Sequence, residues 1–70
     1  MVNLQTQMLY TQGEMFNITN IKDNIVYLKN YHDNNYIANI HFRDIKEVLN
    51  ATENKNLRES FNEIYPEIFI

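Results

Sequence analysis

Polar and apolar side chains alternate over the first ten residues. Val2, Leu4, Thr6, Met8 and Tyr10 sit two apart, with Asn3, Gln5 and Gln7 between them. A period of two predicts a half-buried β-strand. Thr11-Gln12-Gly13 follows, holding the single glycine of the chain, and reads as a turn that needs positive φ. Phe16 and Ile18, alternating with Asn17 and Thr19, predict a second strand to about Ile21. Lys22-Asp23-Asn24 is a turn by composition, because Asp and Asn bond their own backbone and tolerate left-handed geometry. Ile25 to Tyr31 is rich in β-branched and aromatic residues and predicts a third strand. His32-Asp33-Asn34-Asn35 is the next turn, and Tyr36 to Phe42 the fourth strand.

A two- or four-residue loop sets Tyr31 opposite Tyr36. Lys29 then faces Ala38, Tyr27 faces Ile40 and Ile25 faces Phe42. In that register one face carries Ile25, Tyr27, Lys29, Tyr31, Tyr36, Ala38, Ile40 and Phe42. The other carries Val26, Leu28, Asn30, Ile37, Asn39 and His41.

The period then changes. Asp44-Ile45-Lys46-Glu47 signals a helix start, with Asp44 able to cap orphan N–H groups and Glu47 able to reach back to it. Ile45, Val48 and Leu49 share one helical face, the phase slips over Asn50–Asn54, and Leu57, Phe61, Ile64 and Tyr65 resume it. One bent helix or two short helices fit. Pro66 ends the run, and the apolar tail Glu67-Ile68-Phe69-Ile70 is expected to be buried. The expected fold class is α+β. It is a small antiparallel β-meander of three to four strands followed by one bent or two short C-terminal α-helices, in a single domain over residues 1–70.

At 70 residues the core is small, since a chain of this length buries only roughly 60% of the surface its unfolded form exposes. Disulfides, a metal or a partner chain commonly make up such a deficit. The absence of cysteine removes disulfides and thiolate metal sites, and two histidines are too few for a closed zinc site. A partner chain, most simply a homodimer, is the remaining expectation. The net charge of −3 argues against non-specific binding to nucleic acid or anionic membrane. No apolar run is long enough to span a bilayer, and Met1–Tyr10 lacks the basic-then-apolar order of a signal peptide, so a cytoplasmic setting is expected. Frequent Asn, Ile and Lys, with their A/T-rich codons, suggest a bacterial, phage or plasmid genome.

Candidate chemistry is sparse. One glycine cannot build a phosphate-cradling loop. Ser60 has no adjacent base in a recognisable motif. His41 and Asp44 lie close enough to share a metal, but one such pair is what any strand-to-helix junction can hold, and His32 sits in a solvated turn. No catalytic, cofactor-binding or metal-ligating residues are assigned, and the chain is expected to be no enzyme. Tyr27, Tyr31 and Tyr36, with Lys29 as their basic neighbour, form the candidate protein interface, since tyrosine supplies contact area at low entropic cost; packing in the core or across strands is the other reading of these rings. The same rings could stack single-stranded bases, though one lysine gives that little electrostatic support. Glu59, Glu63 and Glu67 form an alternative acidic face. It reads either as an ordinary solvated helix surface or as a mimic of a phosphate backbone.

The segments Tyr31-His32-Asp33-Asn34-Asn35-Tyr36 and Asp44-Ile45-Lys46-Glu47-Val48-Leu49 give a hairpin followed by an Asp-capped short helix. Over about half the chain this order loosely resembles the small phage-encoded inhibitors of uracil-DNA glycosylase. The resemblance, which extends to small acidic anti-CRISPR proteins, implies an inhibitor that mimics nucleic acid. The residues themselves favour a small non-enzymatic phage- or plasmid-type accessory or regulatory protein acting by protein–protein binding. The nucleic-acid mimic is the alternative.

Overall fold

The computed structural model describes Leu4, Gln5 and residues 7–70. Four strands, β1 (Met8–Thr11), β2 (Glu14–Lys22), β3 (Ile25–Asn30) and β4 (Ile37–His41), form one antiparallel sheet in the order β1-β2-β3-β4. Two helices follow, α1 (Phe42–Ala51) and α2 (Lys55–Ile64), and then a 3-10 turn over Pro66–Phe69. The meander and the two-helix option are both realised. Among the described residues no helix is long and apolar enough to cross a membrane.

The first two hairpins close as their composition predicts. Gln12 and Gly13 have φ of 55° and 78°, and Asp23 and Asn24 have 55° and 65°. Two successive positive-φ residues match the right-handed twist of the flanking strands. Thr11 is therefore paired with Glu14, and Lys22 with Ile25. In β2 a bulge at Thr19 lets Ile18 and Ile21, three residues apart, pair with Leu28 and Val26 on one side of the sheet.

The third hairpin differs from the expected register by one residue. Lys29 faces Ile37, Tyr27 faces Asn39 and Ile25 faces His41. The cause is Asn30, which is 1% exposed. Its Oδ1 accepts from the N–H groups of both His32 and Asp33 at 2.9 Å, while its own N–H donates to the Tyr36 carbonyl at 2.9 Å. The Tyr36 N–H donates to the Asp33 carbonyl at 3.0 Å. A side chain thus stands in for a turn, and the connection contains five residues, 31–35, instead of two or four. The alternation within each strand is as expected, but β4 is paired one position over. Val26, Leu28 and Asn30 share a face with Ala38 and Ile40, whereas Ile25, Tyr27 and Lys29 share the other with Ile37, Asn39 and His41.

The N-terminal alternation is also corrected. The Gln7 N–H donates to the Leu4 carbonyl at 3.2 Å, a turn that interrupts the extended run and shortens the strand to Met8–Thr11. Leu9 faces the core and Tyr10 is 57% exposed; Val2 and Thr6 lie outside the described residues.

Both helices cover the same side of the sheet. Phe42, Ile45 and Leu49 of α1, Leu57 and Phe61 of α2, and Ile68 join Leu9, Phe16, Ile18, Val26 and Leu28 in one core. The Tyr65 ring packs edge-on against Phe42 at 5.1 Å. The tail is only partly inside: Ile68 is buried, Phe69 half-buried and Ile70 95% exposed. α1 starts three residues earlier than expected, and its N-cap is His41 rather than Asp44, because His41 Nδ1 accepts from the Arg43 N–H at 3.2 Å. Asp44 is left in the first turn, where its charge still suits the helix dipole.

The chain breaks between the helices at Thr52–Asn54. Thr52 Oγ1 accepts from the Asn54 N–H at 3.2 Å, and Asn54 Oδ1 caps α2 by accepting from the Leu57 N–H at 3.1 Å. Asn54→Ala is expected to cost about 1 kcal/mol in urea denaturation, with Asn54→Asp restoring most of it. Equal stability of the alanine variant and the parent would show that the cap does not hold α2.

Candidate protein-binding surface

With both helices on one side, the described residues leave the opposite side of the sheet open. Reading across it by register, Met8, Asn17, Lys29 and Ile37 form one row. Tyr10 and Met15 form a second row toward the turn of the first hairpin, and Tyr27 and Asn39 a third. Lys22, Ile25 and His41 form the last. Ile37 is 70% exposed, Tyr10 is 57% exposed, and Met8, Met15, Ile25 and Tyr27 are half-buried. This face is aromatic and aliphatic. The only formally charged side chains among its strand residues are Lys22 and Lys29, although the whole chain carries −3.

Of the four expected interface residues, Tyr27 and Lys29 lie together on this face. Their grouping survives because they belong to one strand, where a spacing of two fixes a shared side. Tyr31 lies beyond β3 at the loop end, 55% exposed. Its N–H donates to the Met15 carbonyl at 2.9 Å, and its ring meets His32 edge-on at 5.0 Å. Tyr36 is separated from them. It pairs with Asn30, and its ring packs edge-on against the buried Phe16 with centroids 5.4 Å apart. Grouping Tyr36 with Tyr27 needed the register that the five-residue loop removes.

Tyr10, Met8, Met15 and Ile37 complete the face and were not among the expected residues. One signal pointed to the first three. A two-residue Gln12-Gly13 turn forces Leu9 opposite Phe16, and hence Tyr10 opposite Met15 on the reverse side.

The acidic residues do not form an unbroken line. Glu59 and Glu63 are exposed on α2, but Glu59 borders a shallow groove together with Arg58. Glu67 borders another with Arg43 and Lys46. The remaining polar candidates have local roles. Ser60 Oγ donates to the Asn56 carbonyl at 2.8 Å, and His41 caps α1. Among the described residues no group of three or more His, Asp or Glu side chains is placed to hold a metal ion. An open cleft of about 780 Å³ lies where Tyr10, Thr11 and Gln12 approach Glu47, Val48 and Glu53, with neither histidine nor Ser60 in its lining.

No family model, curated protein or solved structure matches this chain.

Proposed function

We propose that this chain is a small non-enzymatic accessory or regulatory protein of phage or plasmid type, cytoplasmic, that acts by protein–protein binding through the open face of its sheet. One observation carries this reading. Among the described residues, an α+β sheet with apolar side chains on both sides has helical cover on only one, and the other side presents Tyr10, Tyr27, Met8, Met15 and Ile37. Tyrosine-rich patches with a few cations are typical of recognition surfaces. Lys22 and Lys29 favour a partner that presents carboxylates around an apolar centre. The net charge of −3 works against a polyphosphate ligand on the same face. The acidic mimic is not carried forward, because Arg43, Lys46 and Arg58 interrupt the line of Glu59, Glu63 and Glu67.

The test is affinity capture from a host lysate on immobilised chain, followed by titration of the retained protein. Tyr27→Glu together with Lys29→Glu is expected to weaken binding by at least about 30-fold, the effect of losing one hot-spot tyrosine. Glu59→Gln together with Glu63→Gln is expected to leave binding unchanged. If the two pairs behave the other way round, the sheet face is not the contact surface.

A further inference from the structure

We propose that β4 is a docking edge whose occupant is β4 of a second copy of this chain, joined antiparallel about Asn39 into an eight-stranded sheet. β4 ends the strand order, so among the described residues only one of its sides is paired. The ends of its ladder show which backbone groups are used. The Asn30 N–H donates to the Tyr36 carbonyl, and the Phe42 N–H donates to the Asn24 carbonyl, both at 2.9 Å. Between these hydrogen-bonded pairs every second residue, Ala38 and Ile40, turns its N–H and C=O toward β3. Ile37 and Asn39 turn theirs away, as His41 does its N–H, while the His41 C=O starts the hydrogen-bond ladder of α1. All three are exposed.

Edges of this kind are commonly guarded by lysine, proline, an inward charge or a bulge. The segment Ile37–His41 has no Asp, Glu, Lys, Arg, Pro or Gly, and its pairing with β3 runs without a bulge. The strand is instead self-complementary. Centred on Asn39, all five residues face their counterparts, and each copy donates the N–H groups of Asn39 and His41 to the Asn39 and Ile37 carbonyls of the other. On the core side the small Ala38 of one copy meets the large Ile40 of the other. Both are half-buried in the single chain, so the core continues across the seam. Antiparallel pairing also brings the 31–35 loop, whose only charged residue is Asp33, to the end of β4 from which the second copy's Arg43 projects. Opposite charges thus meet twice under one two-fold axis. Pairing of β4 with the far edge, β1, would not close and would grow into fibres. The edge-on dimer leaves both open faces uncovered and side by side, so it stands independently of the reading of those faces as the contact for a target.

The chain has no cysteine, so Asn39→Cys introduces a single thiol. Facing residues of a hydrogen-bonded antiparallel pair have Cα atoms about 5.5 Å apart, within the range of about 4.4–6.8 Å that disulfides span. Under mild oxidation Asn39→Cys is expected to form covalent dimer at least about ten-fold faster than Lys22→Cys, whose thiol sits on the open face away from the edge. Asn39→Pro removes an N–H that points away from β3 and leaves that ladder intact. It is expected to shift the mass in light scattering from dimer to monomer at concentrations where the parent is dimeric. A parent chain that stays monomeric up to about 1 mM, a weak affinity even for transient contacts, overturns the proposal. So does equal cross-linking of the two cysteine variants. A dimer that survives Asn39→Pro but dissolves with Tyr27→Glu moves the contact to the open face and overturns it as well. Open-ended growth with concentration assigns the edge to β1–β4 pairing and removes the two-fold. If Asn39→Pro fails to fold, the cysteine comparison decides.

Discussion

Phe61→Ala is expected to leave most of the chain unfolded under conditions where the parent is folded. Phe61 is 0% exposed, at the centre of the face that α2 lays on the sheet, with the Tyr65 ring centroid 6.5 Å from its own. Tyr65 in turn packs on Phe42 at the start of α1, so one aromatic chain ties α2, α1 and the C-terminal turn together. Truncating a buried phenylalanine costs about 3–5 kcal/mol, part lost transfer energy and part cavity. At about 0.05–0.15 kcal/mol per residue, a chain of 70 residues has only about 4–10 kcal/mol in total. Urea denaturation followed by circular dichroism checks this, with Ile70→Ala as the reference. Ile70 is 95% exposed, and its truncation is expected to stay within about 0.5 kcal/mol of the parent. A Phe61→Ala loss below about 1 kcal/mol, the ordinary size for a point variant, would mean that α2 is not docked on the sheet.

The second large effect is expected at Asn30. Replacing it with leucine removes the acceptor shared by the His32 and Asp33 N–H groups and the Nδ2 donor that reaches Glu14 Oε1 at 3.3 Å. Each such bond contributes about 1 kcal/mol net, and unsatisfied part-buried donors cost somewhat more, so a loss of about 2–3 kcal/mol is expected. Asn30→Asp keeps the oxygen acceptor but faces Glu14 with a like charge, and should fall between leucine and the parent. The decisive measurement is structural. In the parent, Lys29–Ile37 and Tyr27–Asn39 are non-hydrogen-bonded pairs, whose α-protons lie close enough to give strong cross-peaks in NMR. Asn30→Leu should weaken those cross-peaks and speed amide exchange at His32 and Asp33. If the cross-peaks and the protection are unchanged, the side chain does not set the register.

These two positions also mark how far the amino-acid order reveals the fold. Phe61 belongs to a helical stripe and is legible as core from spacing alone. The Gln12-Gly13 and Asp23-Asn24 turns are legible for the same local reason, as is the break between helices where the apolar phase slips. Asn30 is not legible in this way. By composition it is one more polar residue at the end of a strand, and its effect depends on two N–H groups that only the folded loop aims at it. The turn at Leu4–Gln7 and the His41 cap are concealed similarly, because each is a hydrogen bond rather than a pattern.

The same distinction governs the candidate surface. Tyr27 and Lys29 stay together since their relation is internal to β3. Tyr36 is lost and Ile37 gained since theirs depends on how β4 is paired. The one-sided cover was foreseeable from the count of helical segments. Which side it takes was not, because both faces of the expected hairpin carried apolar residues.

The division of labour along the chain has a further consequence for how the protein is made. Among the described residues every strand lies between Met8 and His41, and apart from Leu4 the side chains that cover the core side of the sheet lie between Phe42 and Phe69. Synthesis runs from the N-terminus, so the strands are made before the helices that cover them. Each hairpin joins neighbours in sequence and is able to close early. Leu9, Phe16, Ile18, Val26 and Leu28 then wait in water for α1 and α2. Until the helices dock, the core side of the sheet is as bare as the other, and the folding chain is then at its most exposed to capture by chaperones or by other copies of itself.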